Sequence, residues 1–349
     1  MNYNKIFTKK ERFQFGCYQL LDHFFGRERV FKWFEKSRRK FFKDLHERLK
    51  NEGKLGKTIP IERRKNISLK EFKSHYIKKG IPVIIEGGAK DWDCVKNWSL
   101  DYFKNLYGEE EILFVDHEKI EVDYERLKLK EVIDGISSGK GKYYRFYPLL
   151  QRHPEHLADF DYDWMLKVRH KWILMENFQA FIGGKGSYTA MHNAQADNIF
   201  TQVYGEKDFY IFPPEQSVVF DPDPVQNVYR NGSYRNEKGE VFNPFDPNYE
   251  LHPMYKYVDK VYVHLEAGDI FYNPPYWWHA VKNPTESIGV GYRWVSPINS
   301  FKRGPLYFFL DLFARNPSMF KSYKLAEEDI NLIQLAQTGR LKKYKKETN

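Results

Sequence analysis

Between Trp172 and Trp294 the chain breaks into short apolar runs rich in β-branched and aromatic residues, each closed by Gly, Pro, Asn or Asp. The runs cover residues 179–182, 200–204, 209–212, 261–265, 270–272 and 288–292. Short strands at this spacing predict a β-sandwich or barrel, and they restrict the fold more than any other feature. The segment 221–257, rich in Asn, Pro and Asp, is too long for a hairpin loop and is expected to form a lid or rim over one barrel mouth.

Outside this region the periodicity changes. Leu20, Leu21, Phe24, Phe25, Val30, Phe31 and Phe34, then Phe42, Leu45 and Leu49, recur at helical spacing among lysines and arginines. Residues 1–66 carry 19 Lys and Arg against 8 Asp and Glu, so the chain's net charge of +9 belongs to this arm. A helix docked through its aromatic face, with its basic face in water, is expected; an acidic partner, an anionic membrane surface or a carrier are the other readings of the same pattern. A Gly/Lys-rich break at 51–57 ends the arm. Ser68 and Ser99 are N-cap candidates, 82–85 and 112–115 read as strands, and 129–136 reads as a helix. After Pro297, Leu306, Phe308, Phe309, Leu312 and Phe313, and later Ile330, Leu332, Ile333 and Leu335, return to helical spacing, predicting a helical pair that packs on the barrel or forms a homodimer. The expected organisation is a basic helical arm (1–66), a mixed α/β region (67–171), a mainly β double-stranded β-helix core (172–299), and C-terminal helices with a tail (300–349).

With 349 residues the chain can bury a large core. No run of 18 apolar residues is present and the first ten residues are polar and basic, so neither a membrane span nor a secretory leader is expected, and a cytoplasmic location is the default. Cys17 and Cys94, the two cysteines, lie far apart in different contexts, which gives a disulfide framework or thiolate metal site no support. A metal here must use nitrogen and oxygen ligands.

His192 and His279 are the ligand candidates, each in a strand-rich setting that could project an imidazole into a barrel. Either alone would more often be structural. Their surroundings resemble the JmjC-like branch of the cupin superfamily, proteins like the asparaginyl hydroxylase that inhibits hypoxia-inducible factor, over roughly residues 68–297. The resemblance rests on Ile81, Pro82, Val83, Ile84, Ile85, Glu86 and Gly87 with Asp91 and Trp92, then on Thr189, His192, Asn198, Phe200, Gln202, Gly205, Lys207 and the Phe212-Pro213-Pro214 turn, and finally on Gly268, Asp269 and the run 275–279. It implies a double-stranded β-helix holding Fe(II) through two histidines and one carboxylate, with positions left for 2-oxoglutarate and O₂. It further implies that Lys207 pairs with the distal carboxylate of 2-oxoglutarate, that Thr189 and Asn198 hydrogen-bond this cosubstrate, and that Tyr144 is a weaker candidate for the same task.

The departure is at Ala194, where the family carries its carboxylate. An alanine methyl cannot ligate. One explanation is that chloride fills the position, as in Fe(II)/2-oxoglutarate halogenases that carry a small Ala or Gly there; losing the acid supplies both the space and the missing negative charge. A second is that another acid rescues an ordinary hydroxylase: Asp197, which has the wrong strand parity and more naturally caps the turn before Asn198, or Glu176, Asp269 or Glu266. A third is a non-catalytic cupin-type binding protein. Gly289 and Gly291 are expected to leave space on the last barrel strand, and Arg293 to bind a substrate carboxylate or sit in a structural ion pair. An aromatic rim of Tyr143, Tyr144, Phe146, Tyr147, Tyr229, Tyr234, Tyr255 and Tyr257 suits a peptide, protein, carrier-tethered or small-molecule substrate. Nucleic acid is not an expected partner, because aromatics at core spacing and a basic arm do not make a recognised module.

Overall fold

The structure, a computed structural model, describes residues 6–115, 124–139, 147–224, 226–231, 242–315 and 317–327. The period-two runs read from the sequence form strands that close into a double-stranded β-helix. The strands are β1 (Thr58–Pro60), β2 (Arg63–Arg64), β3 (Val83–Ile85), β4 (Glu111–Val115), β5 (Tyr124–Lys128), β6 (Met175–Gly183), β7 (Tyr188–Asn193), β8 (Asp197–Tyr204), β9 (Lys207–Phe212), β10 (Arg230–Asn231), β11 (Lys260–Leu265), β12 (Ile270–Asn273), β13 (Trp278–Lys282) and β14 (Ser287–Val295). One sheet runs β1-β11-β9-β13-β7-β10 and faces a second running β2-β3-β12-β8-β14-β6, while β4 and β5 pair apart from both. The eight central strands pair antiparallel, which lets each sheet bury one face against the other.

Cross-strand register decides which side chains share the interior. Phe271 pairs with Phe200 and with Ile84, and Val263 pairs with Phe209. Together with Ile211, Val261 and Trp277 these side chains fill one end of the space between the sheets with close-packed apolar volume. On the outer face of the second sheet a larger core joins Ile199, Val203, Tyr272, Val290 and Tyr292 to helices Leu100–Tyr107 and Leu129–Ser137. Ser99 caps the first of these helices, its Oγ accepting from the Tyr102 N–H at 3.1 Å. Tyr147, expected on the substrate rim, belongs to this outer core instead. Its backbone N–H bonds to Ala180, whose strand neighbours Gln179 and Phe181 point inward, so Tyr147 lies behind the sheet and is fully buried.

The outer face of the first sheet is covered by the basic arm. It is a hairpin of two helices, α1 (Lys9–Phe25) and α2 (Arg27–Glu52), because Gly26 takes φ +85° and breaks the run. A capping box starts α1: Glu11 N–H donates to Thr8 Oγ1 at 3.2 Å and Thr8 N–H to Glu11 Oε2 at 2.8 Å. Phe15, Tyr18, Phe41, Leu45 and Leu49 are buried on the barrel, each contributing about 1.5–3 kcal/mol of apolar burial. The 221–257 segment does not simply lie over a mouth. Its strand β10 extends the first sheet beside β7, and Tyr255 and Tyr257, expected on a rim, are buried beneath the hairpin because α2 packs across the Pro253–Tyr257 turn.

One polar cluster fastens the hairpin. Arg38 donates to Asp22 at 2.9 Å and to Asp221 at 2.7 Å, and Arg27 donates to the same two acids at 2.9 to 3.0 Å. Asp22, Asp221 and Arg38 are all buried. After Val295 the chain continues as helices Pro297–Arg303, Pro305–Leu312 and Met319–Glu327; the expected helical stretch 330–335 lies outside the described residues. Arg38→Ala would leave two carboxylates with half their compensation, so chemical denaturation should report a loss of about 3–5 kcal/mol. A variant that lost less than about 1 kcal/mol would show that the hairpin is held by apolar burial alone.

Candidate functional site

The two histidines are cross-strand partners. His192 on β7 sits directly opposite His279 on β13, with ring centroids 4.1 Å apart. Each Nδ1 donates to the backbone carbonyl two residues earlier, His192 to Ala190 at 2.8 Å and His279 to Trp277 at 3.0 Å. These bonds fix the tautomer and leave each Nε2 with its lone pair, the form a metal ligand requires. Burial, with the nearby Arg293 charge, pushes the His279 imidazole down to about 4, so it is neutral at physiological pH.

A bulge then brings in Thr189. The step from His279 to Val281 on β13 matches the step from His192 to Thr189 on β7, so three residues face two. The extra residue resets the alternation and turns Thr189 to the same side as His192. Sequence alone gives no signal of this shift. On the other flank His279 pairs with Ile211 and Val281 with Phe209, so Lys207, a further two residues along β9, also faces inward. It lies roughly 13 Å of strand from the histidine level, a gap that a lysine stem and a short dicarboxylate together bridge.

Lys207 is 2% exposed and forms no ion pair among the described residues; its Nζ donates to Asn283 Oδ1 at 2.7 Å. Desolvation brings its ammonium down to about 7. Asn283, in the turn after β13, is a participant that sequence reading missed. So are Asn177 and Gln179 on β6: register places them opposite Arg293 and Gly291, and therefore inside. Asn177 Oδ1, Gln179 Oε1, Asn198 Oδ1 and both side-chain atoms of Gln195 are buried with no hydrogen-bond partner among the described residues. Buried polar atoms without partners are costly, and those that register turns into the barrel with the histidines are groups whose missing hydrogen bonds a polar ligand can supply.

Ala194 follows directly on β7, and its carbonyl accepts the Tyr276 N–H at 2.8 Å. Tyr276 holds φ +62°, a left-handed backbone conformation unusual for a large side chain. Its hydroxyl donates to Asp311 at 2.7 Å, and Asp311 also takes the fully buried Arg230 guanidinium. The Ala194 methyl borders a narrow cleft with Asn177, Gln195, Tyr229 and Arg293.

None of the acids considered as a substitute ligand reaches this cleft in a form able to bind metal. Asp197 sits within β8 rather than capping a turn; it points to the outer face, where Tyr272 donates to it at 2.7 Å and Asn299 at 3.1 Å. Glu176 is held by Tyr292 and Arg169, and Asp269 by Arg63 and the Gly87 N–H. Glu266 is exposed. Among the described residues no group of three His, Cys, Asp or Glu side chains is gathered as a metal set. The expected space at Gly289 and Gly291 is also filled: a Cβ on Gly289 would meet the Phe200 ring at 2.3 Å, and one on Gly291 would meet Asn198 Oδ1 at 2.8 Å. The glycines admit this chain's own side chains rather than an anion. Tyr143, Tyr144, Phe146 and Tyr234 lie outside the described residues.

A family model described as a cupin-like domain matches residues 69–300. The chain belongs to the cupin-like domain family. Among the relatives of this cupin-like protein, JmjC domain-containing protein D of Dictyostelium discoideum is 25% identical over 254 residues, 64% of this chain and 53% of that protein. The tRNA wybutosine-synthesizing protein 5 of Homo sapiens is 22% identical over 261 residues, 68% and 79% of the two chains, and a lysine-specific demethylase of Arabidopsis thaliana is 23% identical over 252 residues, 69% and 56%. The chain thus spans about half the length of the first and third. Its residues fit Fe(II) and a dicarboxylate cosubstrate on the observations above: two imidazoles of fixed tautomer, orphaned buried amides, and a buried cation without an acid.

Lys207 carries a stability consequence with a definite sign. Its folded-state value near 7 lies below the unfolded value, so the folded state binds fewer protons between pH 7 and about 10 and gains stability as pH rises through that window. Lys207→Met should therefore raise the melting temperature of the ligand-free protein most at pH 6. The gap to wild type should shrink by about 1.4 kcal/mol per pH unit above 7. A pH-independent gap would mean that Lys207 is not buried as a cation.

Proposed function

We propose that this chain is an Fe(II)- and 2-oxoglutarate-dependent oxidoreductase that functionalises an unactivated C–H bond, and that chloride occupies the coordination position Ala194 leaves open, making halogenation its reaction. Bound iron with 2-oxoglutarate and O₂ would supply the oxidising power for C–H cleavage. The observation that carries the reading is the paired histidines with an alanine beside them and, among the described residues, no carboxylate gathered with them as a metal set. Their Nε2 atoms would hold the metal, with Thr189 and Asn198 orienting the cosubstrate and Lys207 neutralising its far carboxylate inside a water-poor interior. Without the family's carboxylate the site has one negative charge fewer. Arg293, whose charge already depresses His279 and which borders the Ala194 cleft, favours an anion there. Tyr229 and Arg293 line the same cleft and are the side chains this reading assigns to the substrate.

Under anaerobic conditions, Fe(II) and 2-oxoglutarate together should give the visible charge-transfer band of the chelate. Lys207→Met should weaken 2-oxoglutarate binding about a hundredfold, because removing one partner of a buried charge pair costs about 2–5 kcal/mol. Failure to form the band would leave a binding protein rather than an oxidoreductase.

The halide step is tested separately. Oxygen-dependent substrate modification should require chloride or bromide, and Ala194→Asp should remove that requirement while hydroxylated product increases. Equal hydroxylation by wild-type protein with and without halide would assign an ordinary hydroxylase with water in the open position. Two relatives are named for tRNA wybutosine synthesis and for lysine demethylation, so the substrate panel should hold tRNA and lysine peptides beside small molecules.

A further inference from the structure

A second surface is built from side chains to which that chemistry assigns no role. The hairpin tip and the helix Pro305–Leu312 expose six large apolar side chains, Phe24, Phe25, Trp33, Phe309, Leu312 and Phe313, each between 43% and 56% accessible. They are neighbours rather than scattered residues. Phe24 lies 5.6 Å from Phe313 and 6.5 Å from Phe309 by ring centroids, Phe309 lies 4.9 Å from Phe313, and Phe25 lies 5.7 Å from Trp33. Exposed rings gathered in two such groups, one on the adjacent Phe24 and the other on Phe25, mark a contact site.

The charges beside it identify the contact. Arg29, Lys32 and Lys36 are exposed on α2 at one to four residues from Trp33, and none of them forms an ion pair among the described residues. The acids nearby are Glu28, exposed in the first turn of α2, and Glu35, which Arg39 already holds at 2.8 Å, so the face stays positive. A second copy of this chain would bring like charges together. Aromatic rings flanked by unpaired Arg and Lys instead suit an interface where rings enter the acyl boundary and cations stay with anionic headgroups. No helix among the described residues is long and apolar enough to cross a membrane, so the contact would lie in the plane of the surface.

We propose that this aromatic-basic face docks the protein on bilayers containing acidic phospholipid. Full-length protein should float with vesicles of phosphatidylcholine containing roughly a third phosphatidylserine, on the order of a hundredfold more tightly than with phosphatidylcholine alone, from about three cations at the surface. The triple change Arg29→Glu, Lys32→Glu and Lys36→Glu should abolish that preference. Trp33→Ser with Phe313→Ser should weaken binding at least about tenfold at unchanged charge and remove quenching by brominated acyl chains. All five positions are exposed, so unchanged melting temperatures would accompany these losses. The proposal is overturned if wild-type protein ignores acidic vesicles, if the charge-reversed protein binds them equally well, or if sedimentation shows a dimer that Trp33→Ser with Phe313→Ser dissociates.

Discussion

The pairing of β7 with β13 is the constraint on which the rest of the site depends. Two imidazoles can serve one metal only if their nitrogens converge, and directly opposed cross-strand partners are among the closest side-chain pairs a sheet offers. His192 and His279 occupy such a pair. The bulge beside it adds a third inward group from the same strand, and the neighbouring β9 delivers Lys207 by simple alternation. A one-residue slip in this register would turn the histidines to the outer face and bring Ala280 and Met191 inside. The antiparallel ladders on both flanks of β13 make that slip costly.

Apolar and polar interior are divided along the same strands. Phe200, Phe209, Ile211 and Phe271 seal one end by packing, while the Asn and Gln side chains near the histidines are buried without complete hydrogen bonding. A protein tolerates such groups where a ligand completes them, and stability there is given up for binding. Lys207 is the sharpest case, since a buried ammonium that has an amide oxygen and a ring face but no ion pair among the described residues destabilises the empty fold.

Much of this was legible in the sequence, for identifiable reasons. Strand runs such as 200–204 and 209–212 carry period-two or continuously apolar patterns that local chemistry dictates, and they appear in β8 and β9. The five-residue offset of Asp197 from His192 argued against an inward carboxylate, and register puts it outside. What failed to show depends on partners distant in sequence. Thr189 faces inward only because β13 is one residue shorter across the bulge; Gly289 looks like open space until Phe200 is placed against it; Tyr147 reads as a rim aromatic until Ala180 gives its side of the sheet. The hairpin break at Gly26 was available locally, but helical periodicity on both sides concealed it.

The link from Ala194 to Tyr276, Asp311 and Arg230 has a mechanical consequence. The alanine's own carbonyl is held by the N–H of Tyr276, whose left-handed geometry is braced from Asp311, a residue of the Pro305–Leu312 helix rather than of the barrel. Arg230, next to the strand residue paired with His192, leans on the same carboxylate. The alanine corner therefore takes its position from an element outside the sheets, as a keystone takes its seat from the abutment. Any load that tilts this helix must be shared between a strained peptide, a buried ion pair and the chain segment that adjoins the first histidine.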